Sequence, residues 1–269
     1  MTPYSQVFGS GPRKALAIHC TMAHSGVWTA FAKSLSDLLT ITAMDLPSHG
    51  RSTKWMPDQD QHGMATEMAM SLLDAPMDVI GHSYGATVAL RLGVEVPHLV
   101  RSLTLIEPVF FAAALADEPE RVQAHDVELA DYTAAMDAGD LEGAARAFNR
   151  LWGVGTRWDD FPKALQDYMT ETVAFVPGSL GFLIHDDLDL LGSKALEALP
   201  MPVLLVQGER TLDVIDATHA AMARRIAKVQ RVTIPGGGHM APITHPKEVA
   251  EEVRSLLGRV GDTPTLQGS

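Results

Sequence analysis

Gly81-His82-Ser83-Tyr84-Gly85 sets a serine two residues from a glycine on either side. The apolar run before it ends in Ile80, and a helix-like stretch, Gly85-Ala86-Thr87-Val88-Ala89-Leu90, begins at once. A strand, a tight turn and an immediate helix would thrust the serine hydroxyl above a sheet edge, in the form a nucleophile needs. The helix start would also favour negative charge developing nearby. A serine hydroxyl is a poor nucleophile at neutral pH unless an imidazole takes its proton. Of the eleven histidines, His239 is best placed. It ends Gly236-Gly237-Gly238, a loop that follows the strand-like Val232-Thr233-Ile234 and can bring the ring close. His245, beside Pro246, reads as a helix-start residue.

These residues need a sheet to position them. Short apolar or β-branched runs at 14–20, 38–47, 77–83, 99–108, 202–209 and 229–237 predict six strands. Their apolar residues run on without alternation, as in parallel strands buried on both faces. Helical patterns fill the gaps at 26–39, 63–75, 85–96, 217–227 and 246–258. The alternation predicts an α/β fold, a mostly parallel sheet with helices on both faces. Between Val109 and Leu199 no strand is expected; stretches 124–152 and 160–175 look helical. The expected organisation is a core of residues 1–109 and 200–269, with a helical cap of 110–199 inserted before the last two strands. The polar tail, 261–269, is expected to fray.

The chain has 269 residues, enough for a sizeable core without staples. Its one cysteine, Cys20, excludes an internal disulfide and a cysteine-built zinc site, and reads as a buried small hydrophobe. No phosphate loop or metal-ligand spacing is present, so no cofactor or metal is expected. The net charge of −12 argues against nucleic acid and anionic lipid as partners. No targeting or spanning segment is evident, so a cytoplasmic protein, monomer or homodimer, is the expectation.

Four stretches together resemble the α/β-hydrolase fold family over nearly the whole chain: Ala17-Ile18-His19-Cys20-Thr21, Asp45-Leu46-Pro47-Ser48-His49-Gly50-Arg51-Ser52, the turn at Ser83 and the loop at His239. Cys20 and Ser48 stand where the family usually has glycine. The resemblance implies a Ser-His-acid triad with an oxyanion hole of two backbone amides, Tyr84 after the nucleophile and Thr21 two residues after His19. The family's usual acid falls three residues after the glycine here numbered Gly208, and that position is Thr211. Two carboxylates are candidate replacements. Glu107 ends the strand before the cap, an arrangement some family members resemble; Asp213 lies two residues late on the usual loop. We favour Glu107, because sites form at the carboxyl ends of strands and Asp213 is well placed to start a helix. Glu209 should point away.

The cap should roof an apolar pocket. Phe110, Phe111, Trp152, Trp158, Phe161, Phe175 and Phe182 are the candidate lining residues, most of them equally suited to packing. Trp28 is expected to pack. His185-Asp186-Asp187 reads as a solvated helix start, with contact to substrate or a cation as the alternative. The expected activity is cofactor-free hydrolysis of a small ester, lactone or thioester through an acyl-enzyme. Carbon–carbon bond hydrolysis of a diketone can use the same triad. A low-turnover receptor of the same fold is the non-enzymatic alternative.

Overall fold

The computed structural model describes residues 3–260; the expectation about the tail at 261–269 lies outside the described residues. Seven strands form one sheet: β1 (Ser5–Phe8), β2 (Arg13–Ile18), β3 (Leu39–Met44), β4 (Met77–His82), β5 (Val100–Ile106), β6 (Val203–Gly208) and β7 (Val229–Ile234). Their spatial order is β1-β3-β2-β4-β5-β6-β7. All neighbours are parallel except β1, which pairs antiparallel with β3. The six expected strands are present, each a little shorter than its apolar run. β1 is the addition. Its Ser5-Gln6-Val7-Phe8 is half-exposed at the sheet edge and gives little hydrophobic signal.

Continuous apolar runs suit this sheet because both faces are covered. Alternate residues of one strand enter two different cores. Leu16, Ile18, Val79, Leu103 and Leu205 face α2 (Gln61–Met70), α3 (Tyr84–Glu95) and α10 (Asp213–Arg225). Ala15, Ala17, Ile80, Ile106 and Leu204 face α1 (Thr29–Ser34) and α12 (Pro246–Arg259). The helices start on ordinary signals: Asp60 accepts the Gly63 amide at 2.9 Å ahead of α2, and Pro246 opens α12.

Between Ile106 and Val203 the described residues contain no strand. The chain runs through α4 (Phe111–Asp117), α5 (Pro119–Glu128), α6 (Ala130–Asp137), α7 (Leu141–Trp152), α8 (Lys163–Thr172) and α9 (Leu180–His185), then returns to β6. α4 packs against α10 and joins the main core through Phe111, Ala112 and Ala113. The outer helices have a small core of their own, built on Ala144, Ala145, Trp158, Met169 and Val173. The short α11 (Ala241–Thr244) follows the last strand loop.

Candidate active site

Ser83 sits between β4 and α3 with φ 55° and ψ −119°. A non-glycine residue held there costs about 1–3 kcal/mol, and the surroundings hold it fast. Its amide donates to the Ile106 carbonyl at 2.8 Å. The flanking glycines are required by close approach. A Cβ on Gly81 would lie 2.3 Å from the Gly85 carbonyl oxygen, and one on Gly85 would lie 2.3 Å from that of Ile18. Any side chain would push the turn, the helix and β2 apart.

The strand ends bring three functional groups into line. His239 Nε2 is 3.0 Å from Ser83 Oγ, and His239 Nδ1 is 3.1 Å from Glu107 Oε2. Ser83 and His239 are buried, and Glu107 is fully so. With Glu107 accepting from Nδ1–H, Nε2 is left as the acceptor for the serine hydroxyl. Glu107 is itself at a positive φ of 51°, just past β5, with its amide donating to the Val206 carbonyl at 2.8 Å. Its Oε1 accepts the Gly208 amide at 2.6 Å, and its Oε2 also accepts the Thr211 hydroxyl. Burial pushes the Glu107 carboxyl up. The hydrogen bonds from His239, Thr211 and Gly208, with the attraction of the imidazole, outweigh that and hold it below the usual carboxylate range. Thr211, at the position where the family resemblance leads one to expect the acid, thus donates to Glu107 instead.

Asp213 does not join this group. It is the first residue of α10, its side chain is 70% exposed, and both its oxygens accept from Arg121 of α5. The early turn of the helix holds it at the surface. Glu209 also turns away, accepting the Gly236 amide at 2.8 Å. His245 lies at the start of α12, bonded to Thr244. Two partners of His239 escaped the sequence reading. His82 Nε2 donates to the His239 carbonyl at 2.8 Å, and the Trp152 ring lies 4.5 Å from the imidazole, edge-on. Position x of a G-x-S-x-G turn and an aromatic at a helix end carry no distinctive signal.

Thr21, Ser83 and Tyr84 line one cavity of about 530 Å³. The Thr21 and Tyr84 amides have no hydrogen-bond partner among the described residues. The loop carrying Thr21 is pinned by two buried histidines. His19 Nδ1 donates to the Cys20 carbonyl at 2.6 Å, and His19 Nε2 accepts the Leu46 amide at 3.0 Å. His49 Nδ1 donates to the Pro47 carbonyl at 2.8 Å, and its Nε2 accepts the Met22 amide at 3.0 Å. Burial drives both rings to the neutral form, His19 well below its ordinary range and His49 to about 4. Cys20 is buried, its thiol pushed up to about 12, and so is no nucleophile.

Most of the rest of the cavity wall comes from the helical segment, and its apolar part includes Phe111, Val122, Leu129, Met136, Trp152 and Leu183. Of the seven aromatics expected there, Phe111 and Trp152 line it. Phe110, Phe175 and Phe182 instead fill the main core, and Trp158 and Phe161 the outer one. The polar wall residues include Gln123, Asp126, Asp137 and His185; among the described residues no lysine or arginine lines the cavity. Asp186 organises the turn after α9, its carboxylate accepting the Leu190 and Leu191 amides at 2.9 Å each. Among the described residues no group of three or more His, Cys, Asp or Glu is placed to hold a metal ion, and no helix is long and apolar enough to cross a membrane.

A family model described as "Alpha/beta hydrolase family" matches residues 15–252. The chain is 29% identical over 262 residues to Lipase LipV of Mycobacterium tuberculosis, covering 93% of this chain and 95% of the relative. It is 30% identical over 267 residues to a pimeloyl-[acyl-carrier protein] methyl ester esterase of Xanthomonas campestris, covering 93% and 97%. Among solved structures, an alpha/beta hydrolase enzyme from a Medee basin deep-sea metagenome library superposes with a TM-score of 0.75 over 98% of this chain and 96% of that one, at 16% identity, a likeness of fold alone.

Proposed function

The chain belongs to the alpha/beta hydrolase family, and from that footing we propose that it is a cofactor-free serine hydrolase of small, mainly apolar carboxylic esters. One observation carries the reading, the unbroken chain from Ser83 Oγ through the His239 ring to Glu107. The names of the two relatives, a lipase and a methyl ester esterase, support ester hydrolysis as the class.

The geometry suits the chemistry step by step. His239 Nε2 takes the Ser83 proton as Oγ attacks the carbonyl carbon. Glu107 keeps the other proton on Nδ1 and balances the imidazolium that forms. The unspent Thr21 and Tyr84 amides face the charge growing on the carbonyl oxygen, where one such donor is worth about 3 kcal/mol. The imidazolium then protonates the leaving alcohol. Water, deprotonated by the same nitrogen, releases the acid and restores Ser83. The cavity beside Ser83 is of a size that takes a small ligand, and its apolar wall fits an acyl chain.

A panel of p-nitrophenyl esters of increasing chain length, with wild type and Ser83→Ala in parallel, tests this. Turnover lost in Ser83→Ala with the fold intact is the expected result. Equal turnover in both proteins, or none in either, would sink the proposal.

A further inference from the structure

The Thr21 amide must be aimed as well as free, yet it lies in a loop between β2 and the first turn of helix. Fixing a peptide's carbonyl fixes the amide on its other side, since the two point opposite ways across a trans plane. His19 holds the Cys20 carbonyl, which shares its peptide plane with the Thr21 N–H. The next plane, carrying the Met22 N–H, is held from another loop by His49 Nε2. One residue further, the Ala23 carbonyl accepts the Tyr168 hydroxyl at 2.6 Å. Tyr168 belongs to α8, and its oxygen also accepts the Gly50 amide at 3.1 Å. One phenol thus joins the Thr21 loop to the loop that carries His49.

Two further features tie this region to the outer helices. Met22 is at φ 61°, and its side chain packs against the outer core of Ala144, Trp158 and Met169. The Phe175 ring, from the segment after α8, stands edge-on to His49 at 4.9 Å. Neither Tyr168 nor His49 is among the residues lining the cavity. Any effect they have on turnover must travel through the loop.

We propose that Tyr168 and His49 are positioning residues that hold the Thr21 amide on the oxyanion, so that helix α8 is a structural part of the oxyanion hole. The proposal rests on the ester hydrolase reading above. Tyr168 keeps its proton for the purpose, since burial pushes the phenol up to about 12.

The test compares wild type, Ser83→Ala, Tyr168→Phe, His49→Gln and His49→Leu. It measures kcat, KM, the inhibition constant of an alkyl trifluoromethyl ketone, and Tm. The ketone forms a tetrahedral oxyanion on the serine and so senses the hole directly. Tyr168→Phe should lower kcat about five- to twentyfold, weaken the ketone by a similar factor and leave KM within about twofold. His49→Gln, whose side-chain oxygen can accept the Met22 amide, should stay within about fivefold of wild type, and His49→Leu should lose at least about fiftyfold. Tyr168→Phe decides the matter alone if the leucine variant does not fold. Unchanged kcat and ketone binding in Tyr168→Phe, or a rise confined to KM, would overturn the proposal while wild type remains Ser83-dependent. Absence of Ser83-dependent turnover in wild type would instead overturn the functional reading, and this inference with it.

Discussion

The acid is where residue-level detail decides most. Asp213 and Glu107 are both carboxylates that follow strands, but only Glu107 reaches the imidazole. Glu107→Gln should reduce kcat roughly a thousandfold to ten-thousandfold, because the amide can donate to Nδ1 and force the wrong tautomer. Asp213→Asn should leave kcat within about twofold, since it loses only an exposed ion pair with Arg121. Steady-state kinetics of the two variants separate the roles; equal losses would contradict the geometry. Thr211→Val removes one hydrogen bond of the several that hold Glu107, so a drop of about five- to tenfold in kcat is expected. The sequence contained the clue. An aspartate was missing from its usual place, and the polar residue standing there was short and able to donate. What it lacked was any sign that the threonine faces a carboxylate 104 positions away in the chain.

At the level of elements, the strands were legible because burial on both faces leaves continuous apolar runs, and the turns at Ser83 and His239 because glycine marks them. The half-exposed edge strand β1 was not, and neither was the destination of the aromatics between 110 and 199. Helical periodicity tells which side chains turn inward; it does not tell which of three interiors, main core, outer core or cavity, receives them. The turn before α3 offers a test in which two effects oppose. Helix propensity alone makes Gly85→Ala favourable by about 1 kcal/mol. The added Cβ, however, meets the Ile18 carbonyl oxygen at 2.3 Å, an overpacking worth on the order of 3 kcal/mol in the other direction. Packing should win, and thermal melts of Gly85→Ala should show a lower Tm. A higher one would mean that β2 and α3 separate easily.

The whole molecule carries a load of buried neutral histidines. His19, His49, His62, His82 and His219 are all held below their ordinary range, chiefly by burial, with His49 and His219 at about 4 and His82 at about 3. A histidine whose folded value lies below its unfolded one binds fewer protons when folded. Its contribution is complete above about pH 6.5 and is lost as pH falls toward the folded value, about 2 kcal/mol by pH 5 for each of His49, His82 and His219. Tm should therefore fall steeply between pH 7 and pH 5, above the range in which carboxylates titrate. Glu107 adds a second loss below about pH 4, since its folded value is depressed. Both ring nitrogens of His219 lack a partner among the described residues. His219→Leu should consequently narrow the difference in Tm between pH 7 and pH 5, and a difference as wide as in wild type would count against this account. The cavity wall, with Asp126 and Asp137 and no lysine or arginine among the described residues, predicts a higher kcat/KM for neutral esters than for chain-matched esters ending in a free carboxylate.

The position of Glu107 just past β5 has one further consequence. Ser83 and Glu107 both stand ahead of the helical segment that starts at Phe111, and His239 is supplied after the chain returns to the sheet at Val203. The proton-transfer line of the proposed mechanism therefore takes no residue from the helices between them. On the proposed mechanism, a helical segment transplanted from another family member should bring its own acyl-chain preference and leave Ser83-dependent turnover in place, provided that the graft keeps the packing of Phe111 on the main core and of Trp152 on His239. If Tyr168 has the positioning role proposed above, a graft without an equivalent hydroxyl should bind its new ester and turn it over slowly.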